Sequence, residues 1–165
     1  MTETPVKKVV TIYTDGGCAP NPGPGAWGAI LRYGKQVKHV SGGYKLTTNN
    51  RMEIMAVIEA LRALKKRCTV KLYTDSQYVF NSITKGWASN WRENGWRKGK
   101  NKKEKALNPD LWAILLDLIE EHDVEFNWVK AHVGIAGNEA VDQLVNDTRD
   151  AGDLGVDTYY LQNMA

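Results

Sequence analysis

Two aspartates in this chain end closely similar segments. Tyr13-Thr14-Asp15 follows the apolar run Val9-Val10-Thr11-Ile12, and Tyr73-Thr74-Asp75 follows Thr69-Val70-Lys71-Leu72. Side chains alternate along a strand, so Asp15 shares a face with Tyr13 and Thr11, and Asp75 with Tyr73 and Lys71. If the two strands are neighbours, both carboxylates emerge at the same edge of one sheet. Anions held that close are unfavourable unless a proton or a metal cation lies between them, which points to metal-dependent chemistry.

Two further acids and a histidine extend the set. Glu53 falls on the helical stripe of Val57, Ala60, Leu61 and Leu64, which aims it at the sheet rather than at water. The alternative is a capping box with Asn50 as cap and Glu53 three residues on. Asp142 stands one turn after Asn138, beside Val141 and Val145; taken alone it reads as a surface helix residue. Trp128-Val129-Lys130-Ala131-His132 ends a strand, and the loop Val133–Gly137 then leads to Asn138. A His beside a carboxylate site can titrate near neutral pH, although a lone His is more often structural.

The elements that must position these groups are legible in outline. Strands are expected over Lys8–Thr14, Ala26–Tyr33, Gln36–Tyr44, Thr69–Thr74 and Val124–Val129. The segment Gly16–Gly25, punctuated by Gly and Pro, reads as a rigid loop, and Tyr33-Gly34-Lys35 as a hairpin turn. Thr47-Thr48-Asn49-Asn50 carries cap-type side chains before the helical run Met52–Leu64. Further helices are expected over Gln77–Ile83, from Asn108-Pro109-Asp110 to about Glu121, and from a cap at Asn138 through Val145. Three strands in succession, then strands separated by helices, imply a mixed sheet with helices packed on it. The crossover from Tyr44 to Thr69 contains a helix, so the strand ending at Asp75 can lie parallel to the one ending at Asp15.

At 165 residues the chain fits one domain with a core at about 8–149, a basic protrusion at about 85–105 and a loosely held tail at about 150–165. No run approaches membrane-spanning length and Met1–Lys8 is too polar for a secretory signal, so a cytoplasmic protein without membrane contact is expected. Cys18 and Cys68 lack metal-ligand spacing and read as free thiols. The net charge of +3 conceals an asymmetry: Lys85–Lys105 holds eight Lys and Arg against two Glu, on an otherwise mildly acidic body. Trp87, Trp91 and Trp96 are interleaved with that charge. They either pack the local helices or form a nucleic-acid surface; their concentration amid cations favours the surface.

These motifs resemble those of the bacterial type 1 ribonucleases H, enzymes that cut RNA within RNA/DNA hybrids. The matching pieces are Tyr13–Cys18 with Asn21–Gly25, Thr47–Glu53, Tyr73–Val79, and Trp128–His132 with Asn138-Glu139 and Asp142, in the family's order from about Val9 to about Asp147. The resemblance implies an α/β, ribonuclease-H-like fold: a five-stranded mixed sheet, three antiparallel strands then parallel ones, with helices on both faces. It implies that Asp15, Glu53, Asp75 and Asp142 are catalytic, metal-binding acids, and that His132 assists proton transfer or product departure. All-oxygen ligands suit Mg²⁺, with Mn²⁺ as substitute, rather than Zn²⁺. Paired ions of this kind can activate a water and stabilise the leaving oxygen. The products expected are a 5′-phosphate and a 3′-hydroxyl, and the family suggests a monomer.

The resemblance also implies hybrid contact by Asn21, Asn49, Asn50, Gln77, Asn138 and the backbones of Gly16 and Cys18, with Thr48 at a phosphate. Small polar groups of this kind suit reading of a 2′-hydroxyl. Turn and cap roles are the alternative for the same residues. Trp87 and Trp91 lie in what is, in the family, a basic protrusion that contacts the DNA strand. Ala131 stands where the family has Gly before the His, and Glu93 interrupts the basic run, so contacts there are not carried over residue by residue. The rival readings are a ribonuclease-H-like nuclease or strand-transferase acting on DNA, and a non-catalytic hybrid-binding module.

Overall fold

The computed structural model describes residues 9–131 and 135–165. Its sheet has the order β3-β2-β1-β4-β7, in which β1 is Val9–Cys18, β2 Gly23–Tyr33, β3 Gln36–Thr47, β4 Thr69–Thr74 and β7 Asp123–Trp128. The first three strands pair antiparallel; β4 joins β1, and β7 joins β4, in parallel. A separate two-residue ribbon, β5 (Arg97–Lys98) with β6 (Glu104–Lys105), closes the basic segment. The expected five-stranded mixed sheet is thus present.

The β1–β4 register sets Tyr13 opposite Tyr73. Both aspartates lie two residues further on, so the strands carry them to one edge at one level. The rings of Tyr13 and Tyr73 stack at 5.1 Å on the shared face. β1 runs past its expected end because Gly16, Gly17 and Cys18 continue pairing with β2 as far as Gly25. Only Ala19–Pro22 forms the turn. A Cβ at Gly16 would collide with the Met52 carbonyl, so glycine there lets the strand approach the following helix.

That helix, α1 (Asn49–Arg62), is capped by Thr48, whose hydroxyl accepts from the Arg51 N–H at 3.2 Å; Asn50 is not the cap. Every residue from Arg51 to Ile58 is buried. α1 packs on the sheet with α4 (Pro109–Glu120) beside it, around a core of Ile12, Met52, Ile58, Leu72, Trp112 and Leu115. α2 (Gln77–Thr84) and α3 (Trp87–Glu93) follow β4. α5 (Ala136–Ala151) covers the opposite face through Val141 and Val145. It begins before Asn138, which is buried inside the first turns rather than acting as the cap.

The tail differs from expectation. Gly155 exchanges backbone hydrogen bonds with β3, and α6 (Thr158–Asn163) follows with Tyr160 buried. Asp157, 5% exposed, bonds Arg51 Nε at 2.7 Å and the Thr47 hydroxyl at 2.7 Å. Arg51 also forms a two-pronged pair with Asp110 at the start of α4, at 2.9 and 2.8 Å. A guanidinium with carboxylates on two sides clasps the tail to the root of α1. Both cysteines are free thiols.

Candidate active site

Asp15 is placed by the last paired residues of β1, Asp75 by the residue after β4, and Glu53 by the second turn of α1. Carboxylate oxygens from these three lie within 4.8 Å of one another. Glu53 is 7% exposed and Asp15 9% exposed, so the cluster is largely withdrawn from water. The Gly16 N–H donates to Glu53 Oε1, which ties the helix acid to the strand end. The inward reading of Glu53 is the one realised, not the capping box. Asp142 projects from α5 to Asp15, where a hydrogen bond and its charge both act on that carboxyl. It does not join the tight trio.

The electrostatics follow from this crowding. Burial first, then the charge of Asp75, pushes Asp15 up from 3.8 to about 7; the Glu53 hydrogen bond offsets part of this and Asp142 adds to it. Burial, followed by the charges of Asp15 and Asp75, drives Glu53 well above the ordinary carboxylate value. Burial and the mutual repulsion of the acids favour protons on Asp15 and Glu53 at higher pH than on ordinary carboxyls. Oxygen donors at this spacing, with nothing softer in the described cluster, fit a hard divalent ion.

The sign of the pH effect is set by the raised acid. The folded state binds the Asp15 proton more tightly than the unfolded chain, so this group opposes folding once ionised. The effect is absent below about pH 4 and complete above about pH 7, on the order of 4 kcal/mol. A divalent cation held by Asp15, Glu53 and Asp75 would take the place of the proton. We therefore expect a divalent cation, at a fixed concentration about a hundredfold above its Kd near pH 8, to stabilise by about 2.7 kcal/mol there, or roughly 5–10 °C. Calorimetry should find the increment larger near pH 8 than near pH 5.5; an increment independent of pH would contradict the shared-proton cluster.

Below the acids, the stacked tyrosines form a floor that sequence reasoning missed. Gly137 of α5 lies so close to the Tyr13 ring that any Cβ there would overlap it. This contact brings the start of α5 over β1 and so helps to set the approach of Asp142. The signal was the shared-face position of Tyr13 and Tyr73, which was noted only for the acids.

The polar residues around the edge are interlocked. Asn49 Oδ1 accepts from the Cys18 N–H at 2.6 Å, and Asn21 Oδ1 accepts from the Asn49 N–H at 3.0 Å. Turn and cap roles are therefore realised for Asn21, Asn49 and Thr48. The side-chain NH₂ groups of Asn21 and Asn49 have no protein acceptor among the described residues. Asn50 and Gln77 are exposed beside them. His132 lies outside the described residues, as do Val133 and Gly134.

The basic segment divides. Trp87 is 41% exposed with Lys85 Nζ 5.4 Å from its ring centroid. Trp91 is half-buried and meets buried Trp112 edge-on at 6.2 Å, so packing is its structural role. Arg92 is held by Asp117 at 2.8 Å. The cations left exposed on the ribbon and its turn are Arg97, Lys100, Lys102, Lys103 and Lys105.

Comparison with known proteins bears on the same residues. The RNase H family model matches residues 7–150. The ribonuclease H of Syntrophus aciditrophicus is 53% identical over 154 residues, covering 93% of this chain and 88% of that one. The ribonuclease HI of Synechocystis sp. is 54% identical over 136 residues, covering 82% and 84%. Among solved structures, LC9-RNase H1, described as a type 1 RNase H with the type 2 active-site motif, superposes with a TM-score of 0.77 at 29% identity, covering 91% of this chain and 75% of that one. LC11-RNase H1 in complex with an RNA/DNA hybrid superposes at 0.65 with 25% identity, covering 87% and 98%. Sheet order, carboxylate cluster and a sequence match spanning both place this chain in the ribonuclease H family.

Proposed function

We propose that the chain is an endonuclease that hydrolyses the RNA strand of RNA/DNA hybrids, using Mg²⁺ or Mn²⁺ and leaving 5′-phosphate and 3′-hydroxyl ends. The observation that carries this reading is the trio Asp15, Glu53 and Asp75, with oxygens within 4.8 Å of one another and two of the three acids pushed up in pKa. Asp15, Glu53, Asp75 and Asp142 would hold divalent ions. A bound divalent ion supplies an activated water and charge stabilisation at a phosphodiester.

The chain's own groups do the rest. Gly16 N–H fixes the orientation of Glu53, and the tyrosine floor fixes the two strand ends. The free NH₂ groups of Asn21 and Asn49, with exposed Asn50 and Gln77, are suited to donate to 2′-hydroxyls beside the cluster. Gly16, Cys18, Thr48 and Asn138 flank that surface. His132, outside the described residues, assists proton transfer or product departure. Trp87 and the exposed cations of the β5–β6 ribbon take the DNA strand, with salt-dependent affinity. One chain furnishes all four acids, so a monomer suffices. Among the described residues no helix is long and apolar enough to cross a membrane.

Cleavage of an end-labelled hybrid with Mg²⁺, beside single-stranded RNA, RNA duplex and DNA duplex, tests the proposal. Cutting confined to the RNA strand of the hybrid, and stopped by a chelator, is expected. Cutting of the DNA duplex would favour the DNA-directed reading, and binding without cutting the non-catalytic module.

The two tryptophans offer a further check. Trp87→Ala should weaken hybrid binding several-fold with little change in urea unfolding, because its ring is exposed. Trp91→Ala should cost on the order of 3 kcal/mol of stability through the contact with Trp112. The reverse pattern would place the contact surface on Trp91.

A further inference from the structure

The three acids of the trio are not held equally. Asp15 lies within β1 and pairs with Gly28 across the β1–β2 ladder. Glu53 lies within α1, with buried residues on both sides of it in the chain. Asp75 has neither support. The β1–β4 pairing ends at Tyr13 and Tyr73, β4 ends at Thr74, and α2 begins at Gln77. Its carboxylate therefore hangs from the link Asp75-Ser76.

Hydrogen bonds from beyond the ladder fix that link. The Ser76 N–H donates to Thr74 Oγ1 at 3.1 Å, and the Ser76 carbonyl accepts from the Phe80 N–H at 3.0 Å as α2 starts. The Asp75 carbonyl falls between strand and helix, and it accepts from Trp128 Nε1 at 3.1 Å. Trp128 is the last residue of β7 and stands opposite Thr74; the next N–H, of Val129, donates to the Thr74 carbonyl at 2.9 Å. β7 thus grips consecutive carbonyls at the end of β4, one through its backbone and the next through an indole.

Packing does not account for this tryptophan. Val124 and Phe126, on the same face of β7, pack against the core, whereas the Trp128 ring is 39% exposed at the sheet edge. A ring placed for burial alone would turn inward with them. The indole instead directs its N–H, a donor only, at the peptide that carries a carboxylate of the cluster.

We propose that Trp128 is a positioning residue for Asp75: its indole N–H fixes the Asp75 peptide and, through it, the direction of the carboxylate toward Asp15 and Glu53. The consequence for cleavage rests on the metal-dependent reading above. A carboxylate free to swing holds a divalent ion less well, because ordering it becomes part of binding. Removing the N–H loosens Asp75 without changing the charge of the cluster.

The test sets Trp128→Phe, which keeps a ring but lacks the N–H, beside Phe126→Leu, which loosens packing on the same strand face and leaves the N–H in place. In metal-free Trp128→Phe, NMR order parameters at Asp75 and Ser76 are expected to fall from the rigid range of about 0.85 toward about 0.6, while those of Ile12 and Leu72 hold. The Mg²⁺ concentration giving half-maximal thermal stabilisation should rise about tenfold, the scale of one lost hydrogen bond, and that giving half-maximal cleavage should follow it. Hybrid affinity in a chelator should stay as in the wild type. Phe126→Leu should lose stability in urea with neither change. Unaltered order parameters in Trp128→Phe would overturn the proposal whatever the activity. So would an unshifted Mg²⁺ midpoint, or an equal shift in Phe126→Leu, which would assign the effect to packing. A wild type that Mg²⁺ neither stabilises nor activates would instead sink the metal-dependent reading, and the order parameters would still decide whether Trp128 holds Asp75.

Discussion

Asp75→Asn is expected to lower hybrid cleavage by roughly a thousandfold or more, a loss of about 4 kcal/mol of transition-state stabilisation. Hybrid affinity should stay within a few-fold, because the ribbon and polar edge are untouched. The same substitution should raise the melting temperature of the metal-free protein. Asp75 is the largest charge acting on Asp15 and also acts on Glu53, so its neutralisation relieves a repulsion that folding otherwise has to sustain. The two effects have opposite signs. Misfolding would lower both activity and melting temperature, whereas loss of one anion from an intact cluster separates them. Cleavage kinetics, hybrid binding and calorimetry in a chelator together decide the matter.

Arg51→Met should destabilise the protein by about 3–5 kcal/mol, the scale on which removing one partner of a buried pair leaves the other uncompensated. Burial works against ionised Asp157, yet the hydrogen bonds from Arg51, Thr47 and the Tyr160 N–H pull its pKa below the ordinary 3.8. Its sign is therefore opposite to that of Asp15: Asp157 supports folding above about pH 4 and loses that support as the solution becomes more acidic. Adding Asp157→Leu to Arg51→Met should recover part of the loss, since the orphaned anion is then gone. Urea unfolding that moves by less than about 1 kcal/mol in the single variant would mean that water reaches the clasp.

The acid edge was legible because it depends on short periods. Alternation along two strands and a helical crossover between them suffice to bring Asp15 and Asp75 together, and the stripe Glu53-Val57-Ala60-Leu61-Leu64 turns the third acid inward. The Arg51 clasp was not legible. Its partners are 59 and 106 residues away, and no local pattern couples Arg51 to Asp110 and Asp157. The tail looked loose for the same reason: its glycines suggested disorder, while its anchor is a cation 106 residues before Asp157. Trp91 carried the same composition signal as Trp87, and only tertiary contact with Trp112 separates them. The end of β1 was misplaced because glycines that read as loop residues are strand residues pressed against a helix.

The clasp also orders events during synthesis. Arg51 is made before both of the segments that enclose it, and Asp157 follows it by 106 residues. Until then the guanidinium at the root of α1 lacks its innermost counter-charge, and the turn that carries Glu53 is without its brace. Maturation of the acid edge is thereby coupled to synthesis of the segment that carries Asp157, so products truncated before Asp157 would be released without a fully braced acid cluster.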